Sequence, residues 1–258
     1  MAHQSAAAPR LTDADLVELV GLLEEVDSVE LKLTVAESDQ RSAVSALGMD
    51  PLDGEIRQVY FLDTPDLLLD RGGVVVRVRR VQRRADDSVV KLRPVIPAEL
   101  PAGLRSASGF GVEVDAIPGG YVCSGSMKGG IKQGSIQRAV AGEQPLQKLF
   151  SKRQRALFGD RAPEGVRLDD LSLLGPIFVL KLKFAPEKYD RRLVAELWLY
   201  PDNTRVLELS TKCAPGEAFQ VAAETRAFLT ERGLSIGEEQ QTKTGKALRF
   251  FSRELTRA

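Results

Sequence analysis

The sequence predicts an α+β fold, in which an antiparallel β-barrel of about eight strands has helices packed outside it. Two observations support this prediction. Most of the patterned segments alternate apolar and polar residues with period two, as a strand with two different faces does. The helical segments each have one apolar side, and the apolar strand faces are natural surfaces for them to pack against. We expect a single domain over 1–258, with an insertion-like segment at about 117–175.

Helical patterns occur before, between and after the strands. Thr12 and Asp15 have the spacing of a capping box, and apolar residues at helical spacing follow them. Gly48 and Gly233 stand where two further helices should end, because glycine readily adopts the left-handed conformation found just after a helix. The predicted helices are 13–26, 37–47, 144–158 and 216–232, and a last short element covers 243–255.

Strand-like runs fill most of the remaining chain. Turn-forming residues separate them, including Pro118-Gly119-Gly120 and Pro201-Asp202-Asn203. Short runs joined by such turns are typical of an antiparallel meander. The predicted strands are 29–35, 59–62, 73–81, 88–94, 111–117, 121–127, 177–184, 193–200 and 204–212.

The composition excludes several kinds of chemistry. His3 is the only histidine and stands near the N-terminus, which argues against Ser-His-Asp triads, histidine acid catalysis and Cys/His zinc sites. Cys123 and Cys213 have no neighbouring Cys or His at metal-ligand spacing, so we expect reduced, structural thiols. The chemistry that remains is that of carboxylates, lysine and arginine.

Charge and hydropathy also limit the partners that we expect. The chain has 36 Lys plus Arg and 36 Asp plus Glu, so no net positive charge favours nucleic acid. Its apolar runs fall short of the roughly 20 residues that a membrane span needs, and residues 1–10 lack the apolar core of a signal peptide. We therefore expect a cytoplasmic protein with no membrane or nucleic-acid partner.

Charged residues occupy one face of several predicted strands, in pairs two residues apart. In the run 73–81, three valines share one face and Arg77 and Arg79 share the other. A sheet with one solvated face would produce the same alternation. Most of these pairs have one sign, however, and a closed barrel would place them in a wet lumen suited to a polyanion and a divalent metal. The pairs are Glu30 and Lys32, Arg77 and Arg79, Lys91 and Arg93, Glu113 and Asp115, and Lys181 and Lys183, and later strands add Glu196 and Glu208.

The order of motifs resembles the CYTH superfamily, also called triphosphate tunnel metalloenzymes. The resemblance extends from about residue 28 to 250, and its most specific part is Tyr60-Phe61-Leu62-Asp63-Thr64 followed by Arg77 and Arg79. Members include thiamine triphosphatase, inorganic tripolyphosphatases, RNA triphosphatases and class IV adenylate cyclases, which share an eight-stranded antiparallel tunnel. The other matching segments are Val-Glu-Leu-Lys-Leu at 29–33, Val-Val-Lys-Leu-Arg at 89–93, Leu-Glu-Leu-Ser at 207–210 and Gln-Thr-Lys-Thr-Gly-Lys at 241–246.

The resemblance implies roles for the charged residues. In the family, a Glu-x-Glu-x-Lys strand supplies metal ligands and a phosphate-binding lysine. The implied catalytic residues are Glu30, Lys32 and Glu196. The implied phosphate-binding residues are Arg77, Arg79, Lys91, Arg93, Lys181, Lys183 and Lys243, with Lys246 as an alternative to the last. The candidate ligands of Mg²⁺ or Mn²⁺ are Glu30, Glu113, Asp115, Glu196 and Glu208.

The sequence departs from the family pattern at two carboxylates. Ser28 replaces the first Glu of the Glu-x-Glu-x-Lys strand, and a hydroxyl is a poorer ligand than a carboxylate for a hard cation. Glu208 also lacks its acidic partner, since that position is Ser210 or Val206, depending on the register. Another acidic residue, such as Asp27 or Glu113, could fill the vacancy at position 28.

These departures leave two function classes open. The first is a metal-dependent hydrolase of a triphosphate-containing substrate, such as inorganic tripolyphosphate or a nucleoside or thiamine triphosphate. The alternative is a non-catalytic module that binds polyphosphate or a nucleotide at a degraded metal site. The missing carboxylates favour the alternative, whereas the retained Glu30, Glu196 and Glu208 favour the hydrolase. No distinct signal indicates the purine pocket that cyclase activity needs.

Overall fold

Nine strands close into one barrel within residues 12–234 and 243–257, which a computed structural model describes. Each strand alternates buried and lumen-facing residues over at least part of its length, which is the period-two pattern of the sequence. The strands are β1 (Ser28–Thr34), β2 (Glu55–Asp63), β3 (Val74–Val81), β4 (Asp86–Leu92), β5 (Phe110–Ile117), β6 (Gly120–Ile131), β7 (Ser172–Phe184), β8 (Leu193–Leu199) and β9 (Arg205–Cys213).

The order of neighbouring strands is β1-β5-β6-β4-β3-β2-β7-β8-β9, and β9 returns to β1. The closed barrel was predicted correctly, and it has nine strands instead of about eight, but the expectation that all of them are antiparallel was wrong. A closed ring of nine strands cannot alternate direction at every step, so at least one neighbouring pair must be parallel. That pair is β1 and β5, with Ser28 opposite Glu113 and Glu30 opposite Asp115.

The helices lie mostly where the sequence predicts them. The capping box of Thr12 and Asp15 is present, although α1 ends at Leu23 rather than 26. The predicted helix 144–158 was wrong in extent, because Ser151 forms a capping box with Gln154 and starts α6 only there. Three short helices were not predicted, namely α3, α4 and α5. The helices are α1 (Asp13–Leu23), α2 (Gln40–Ala46), α3 (Leu68–Arg71), α4 (Ala102–Arg105), α5 (Ser135–Val140), α6 (Lys152–Arg161), α7 (Ala218–Glu231) and α8 (Lys243–Arg257).

The main apolar core lies between the barrel wall and the outer helices. Val74, Val76 and Val78 are buried in one cluster with Ile136 of α5 and Leu157 of α6. This is the predicted orientation of β3, because a register error of one residue would have turned these valines into the lumen. Alternation therefore leaves the charged faces of the strands pointing inward.

The segment 117–175 contributes to the barrel wall as well as to its outside. Its β6 is a barrel strand, whereas α5 and α6 pack against β3, β4 and β6. Its description as an insertion, and that of 1–258 as one domain, stay predictions. No helix in the described ranges is long and apolar enough to cross a membrane. His3 and residues 241 and 242 of the C-terminal motif lie outside the described residues.

Candidate functional site

The barrel encloses a cavity of about 380 Å³, which we call the tunnel. All of the charged residues predicted for the site line it, so the alternative of a sheet with one outward solvated face was wrong. The predicted residues that line the tunnel are Glu30, Lys32, Arg77, Arg79, Lys91, Arg93, Glu113, Asp115, Lys181, Lys183, Glu196, Glu208 and Lys243.

Three further cations line the tunnel and were missed. Arg57 lies in β2, whose predicted start at residue 59 was too late, and Lys128 lies just beyond the predicted end of β6. Lys212 lies near the end of β9. Extending the period-two pattern of each strand by one step would have found Arg57 and Lys128. With them, eleven cations and five carboxylates line the tunnel, although the chain as a whole has no net charge.

Three carboxylates form a cluster where β1 and β5 run parallel. Oxygens of Glu30, Glu113 and Asp115 all lie within 4.8 Å of one another. Because Glu113 is directly opposite Ser28, it supplies a carboxylate next to the position where the family motif has one. Asp27 does not do so, since its side chain accepts a hydrogen bond from the backbone N–H of Val112 at 2.7 Å. A set of three carboxylates fits a hard divalent cation such as Mg²⁺ or Mn²⁺.

Two lysines form ion pairs with this cluster, and we call the cluster and these lysines the carboxylate side of the tunnel. The Lys32 ammonium lies 2.5 Å from Asp115 and 3.1 Å from Glu30, and Lys91 lies 3.1 Å from Asp115 and 3.4 Å from Glu113. Burial alone would raise the pKa of Asp115, but Lys91 and Lys32 lower it to about 2. Burial would likewise lower the pKa of Lys32, yet Glu30 and Asp115 raise it. These groups therefore stay charged at neutral pH.

A second acidic pair holds the first residue of α8. The Lys243 ammonium lies 2.6 Å from Glu196 and 2.7 Å from Glu208, and 4.9 Å from the centre of the Trp198 ring. Lys181 also contacts Glu196 at 2.8 Å. Despite burial, these two lysines hold the pKa of Glu196 well below its usual value, so it is a charged carboxylate and a poor proton acceptor.

The structure shows where the residues of two open alternatives lie. Lys243 lines the tunnel, whereas the Lys246 ammonium lies 4.8 Å from the centre of the Tyr200 ring and is not part of the lining. Ser210 donates a hydrogen bond to Glu30 at 3.1 Å, so its hydroxyl supports an existing carboxylate at the place where a second acidic residue was expected.

Two arginines on β3 form the arginine side of the tunnel, which we define as Arg77 and Arg79. Arg79 donates two hydrogen bonds to Asp87, both of 2.9 Å. Arg77 differs, because its buried Nε has no hydrogen-bond partner among the described residues. Burial, and then the charge of Arg79, lower the pKa of Arg77 to about 9. A buried N–H group without an acceptor is costly, and an anion that accepts its hydrogen bond would remove that cost.

The motif at 60–64 builds the fold instead of the tunnel lining, unlike Arg77 and Arg79, which follow it in the sequence. The buried Asp63 carboxylate accepts hydrogen bonds from the backbone N–H groups of Thr64, Leu69 and Asp70, at 2.7 to 3.0 Å, and so fixes the turn into α3. Tyr60 belongs to the apolar core outside the barrel. This motif is therefore informative about architecture and says little about chemistry.

Comparison with solved structures gives the same architecture. A candidate adenylate cyclase from Bacillus halodurans is similar with a TM-score of 0.60 and 13% identity, over 86% of this chain and 97% of that one. A candidate adenylyl cyclase from Hippeastrum, which has a dominant triphosphatase activity, is similar with a TM-score of 0.63 and 18% identity, over 86% and 94%. No protein-family model and no curated protein matches the sequence. The fold that the CYTH resemblance implies is thus confirmed.

Proposed function

We propose that the chain is a hydrolase of triphosphate-containing substrates that uses Mg²⁺ or Mn²⁺ and binds the phosphates in its tunnel. The observation that supports this most is the charge of the lining, where cations exceed carboxylates by six in a chain of zero net charge. A concave site with an excess of one sign of charge concentrates ligands of the opposite sign. The triphosphatase activity of the Hippeastrum neighbour is consistent with such a ligand.

The arginine side would bind the phosphates. Arg77 has N–H groups that are free to donate. Arg79 holds two N–H donors in a rigid plane, and phosphate oxygens could accept the hydrogen bonds that Asp87 accepts now. From β1 and β4, Lys32 and Lys91 would turn from the carboxylates toward the transferred phosphoryl group. Stabilising charge on phosphoryl oxygens is the main requirement of phosphoryl transfer, and it needs no histidine.

The carboxylates would have two different tasks. Glu30, Glu113 and Asp115 would hold a divalent cation, which when bound would neutralise phosphate oxygens. Glu196 would orient Lys181 and Lys243, because it contacts both and stays charged. It therefore acts in this proposal as a positioning residue, which revises the catalytic role implied by the family resemblance.

A binding module without turnover is the second candidate, and one observation favours it. Each carboxylate of the cluster already has a lysine partner within 3.4 Å, so a metal must displace ammonium groups to bind. If that exchange is too unfavourable, the tunnel would hold polyphosphate without hydrolysing it. The two candidates share the phosphate-binding wall and differ only on the carboxylate side.

One set of assays separates these candidates. Release of phosphate from tripolyphosphate, thiamine triphosphate, ATP and long-chain polyphosphate is measured with Mg²⁺, with Mn²⁺ and with chelator, alongside calorimetric binding of tripolyphosphate. We expect metal-dependent release from at least one substrate and at least a tenfold weaker affinity in Arg77→Gln, because a charge-assisted hydrogen bond contributes roughly 1.5 to 3 kcal/mol. Lys152→Gln, on the exposed first turn of α6, is the matched control.

The outcomes have distinct meanings. Binding that depends on Arg77, without turnover under any condition, would replace the hydrolase by the binding module. An affinity for tripolyphosphate that is the same in wild type, Arg77→Gln and Lys152→Gln would reject both.

A further inference from the structure

Arg57 continues the arginine side by one step beyond Arg79. In the pairing of β2 with β3, Phe61 lies opposite Arg77, Val59 opposite Arg79 and Arg57 opposite Val81. Arg57 is therefore the next lumen-facing position in the same direction along the wall. It also lines the tunnel, although neither the motifs nor the family resemblance pointed to it.

Arg77, Arg79 and Arg57 form a row of cations along the wall, and β7, the strand next to β2, extends this row to the surface. In the pairing of β2 with β7, Val179 lies opposite Arg57 and Lys181 opposite Glu55, so Lys181 and then Lys183 are the following steps. Lys183 is exposed, whereas the Nε of Arg77 at the other end of the row is buried. The row thus leads from the interior of the tunnel to an opening.

This row is longer than a triphosphate. From Arg77 to Lys183 it has four intervals of two residues, each about 6.8 Å along a strand, or roughly 27 Å in all. The terminal phosphorus atoms of a triphosphate are separated by only two P–O–P bridges. A triphosphate bound at Arg77 and Arg79 therefore leaves the outer cations without a phosphate to contact.

Arg57 keeps hydrogen-bonding capacity for such a contact. Its Nε and Nη2 groups both donate to the same oxygen of Glu55, at 2.8 and 2.5 Å, and its Nη1 group has no acceptor among the described residues. The other oxygen of Glu55 lies 2.7 Å from Arg84, which is 68% exposed and outside the lining. One carboxylate is thus shared by two guanidinium groups, and this corner of the tunnel keeps a net positive charge.

We infer that the tunnel prefers linear polyphosphates longer than triphosphate, and that Arg57 binds the fourth phosphate counted outward from Arg77. This inference rests on the proposed function, because it places the first three phosphates at the proposed phosphate-binding wall. It makes Arg57 a determinant of chain-length specificity and gives Lys183 the position where a still longer chain leaves the tunnel.

Calorimetric titration of the full chain with tripolyphosphate and tetrapolyphosphate, in chelator, tests this inference. In wild type we expect tetrapolyphosphate to bind about tenfold more tightly. Arg57→Gln should remove that difference and leave the affinity for tripolyphosphate within about twofold of the wild-type value. Glu55→Gln, which releases Arg57, should enlarge the difference between the two ligands. Arg84→Gln is the matched control, because Arg84 contacts the same Glu55 but lies outside the lining.

Opposite effects of Arg57→Gln and Glu55→Gln cannot both come from loss of folding. Equal affinity of wild type for the two chain lengths would overturn the inference while leaving the proposed function intact. An equal loss for both ligands in Arg57→Gln would overturn it too, since Arg57 would then belong to the triphosphate site itself. Failure of both ligands to bind wild type would instead reject the proposed function.

Discussion

The two sides of the tunnel use the same kinds of charge in different ways. On the carboxylate side, Lys32 and Lys91 each contact two of the three clustered carboxylates, so that positive and negative charges are interleaved. On the arginine side, Arg79 has one carboxylate to itself and Arg77 has no partner for its Nε among the described residues. The arginine side is therefore ready for an anion, whereas the carboxylate side must first exchange its partners.

This difference separates stability from binding. Removing one member of an interleaved, buried cluster leaves the others uncompensated and destabilises the fold. Removing an unpartnered arginine takes away a group that is costly in the absence of ligand, so the main loss should be in affinity.

The largest effect should come from Asp115, which is 2% exposed and contacts both lysines. We expect Asp115→Asn to lower the free energy of unfolding by about 3 kcal/mol, because two half-buried ammonium groups lose their shared, buried carboxylate. Urea denaturation measures this. Asp170→Asn is the control, since Asp170 forms an exposed surface pair with Arg167 at 3.0 Å, and its loss should lower the free energy of unfolding much less.

The same variant has a pH signature. The folded-state pKa of Asp115 is lowered from 3.8 to about 2, so its stabilising effect is fully present above about pH 4 and is lost as the pH falls from about 4 to 2. The stability difference between wild type and Asp115→Asn should shrink over that window. A difference that is constant with pH, or no larger than that of Asp170→Asn, would contradict the interleaved-charge account.

A smaller effect is expected on metal binding. Because Lys91 contacts Glu113 and Asp115, it competes with a divalent cation for the same oxygens. Lys91→Gln should raise the Mn²⁺ affinity of the anion-free protein about fivefold, since removing one unit charge a few ångströms away contributes roughly 1 kcal/mol or more. Electron paramagnetic resonance of free Mn²⁺ measures this without any turnover.

Lys128→Gln is the matched control for metal binding. Lys128 also lines the tunnel, but it forms no ion pair with a carboxylate among the described residues. An equal gain in Mn²⁺ affinity in both variants would mean that the general field of the tunnel limits metal binding. In that case the carboxylate side needs no exchange of partners, and the contrast between the two sides disappears.

The sequence predicted which residues face the lumen better than it predicted which of them meet. Alternation along a strand is local, so it placed Arg77 and Arg79 on the inward face before any neighbour of β3 was known. The proximity of Glu113 to Ser28 depends on a parallel pairing between strands that are 85 residues apart in the chain, and no local pattern indicates it. Arg57 was missed for a simpler reason, because its strand was predicted to begin only at residue 59, two residues after Arg57.

The smallest effect that we expect is that of Ser28→Glu, and its direction depends on the parallel pairing of β1 with β5. If the carboxylate lost at position 28 limited activity, the substitution would raise metal-dependent hydrolysis. If the chain only binds phosphate, it would weaken anion binding without creating turnover.

Because Glu113 lies directly opposite Ser28 and belongs to the cluster, the position is already supplied with a carboxylate, and a fourth one would repel the other three. We therefore expect wild-type hydrolysis to be measurable and Ser28→Glu to lower it about twofold. Ser28→Gln, which has nearly the same size without the charge, should leave the rate unchanged. An increase in hydrolysis in Ser28→Glu alone would show that Glu113 does not replace the missing carboxylate, and that the carboxylate side lacks a ligand as well as having to exchange its partners.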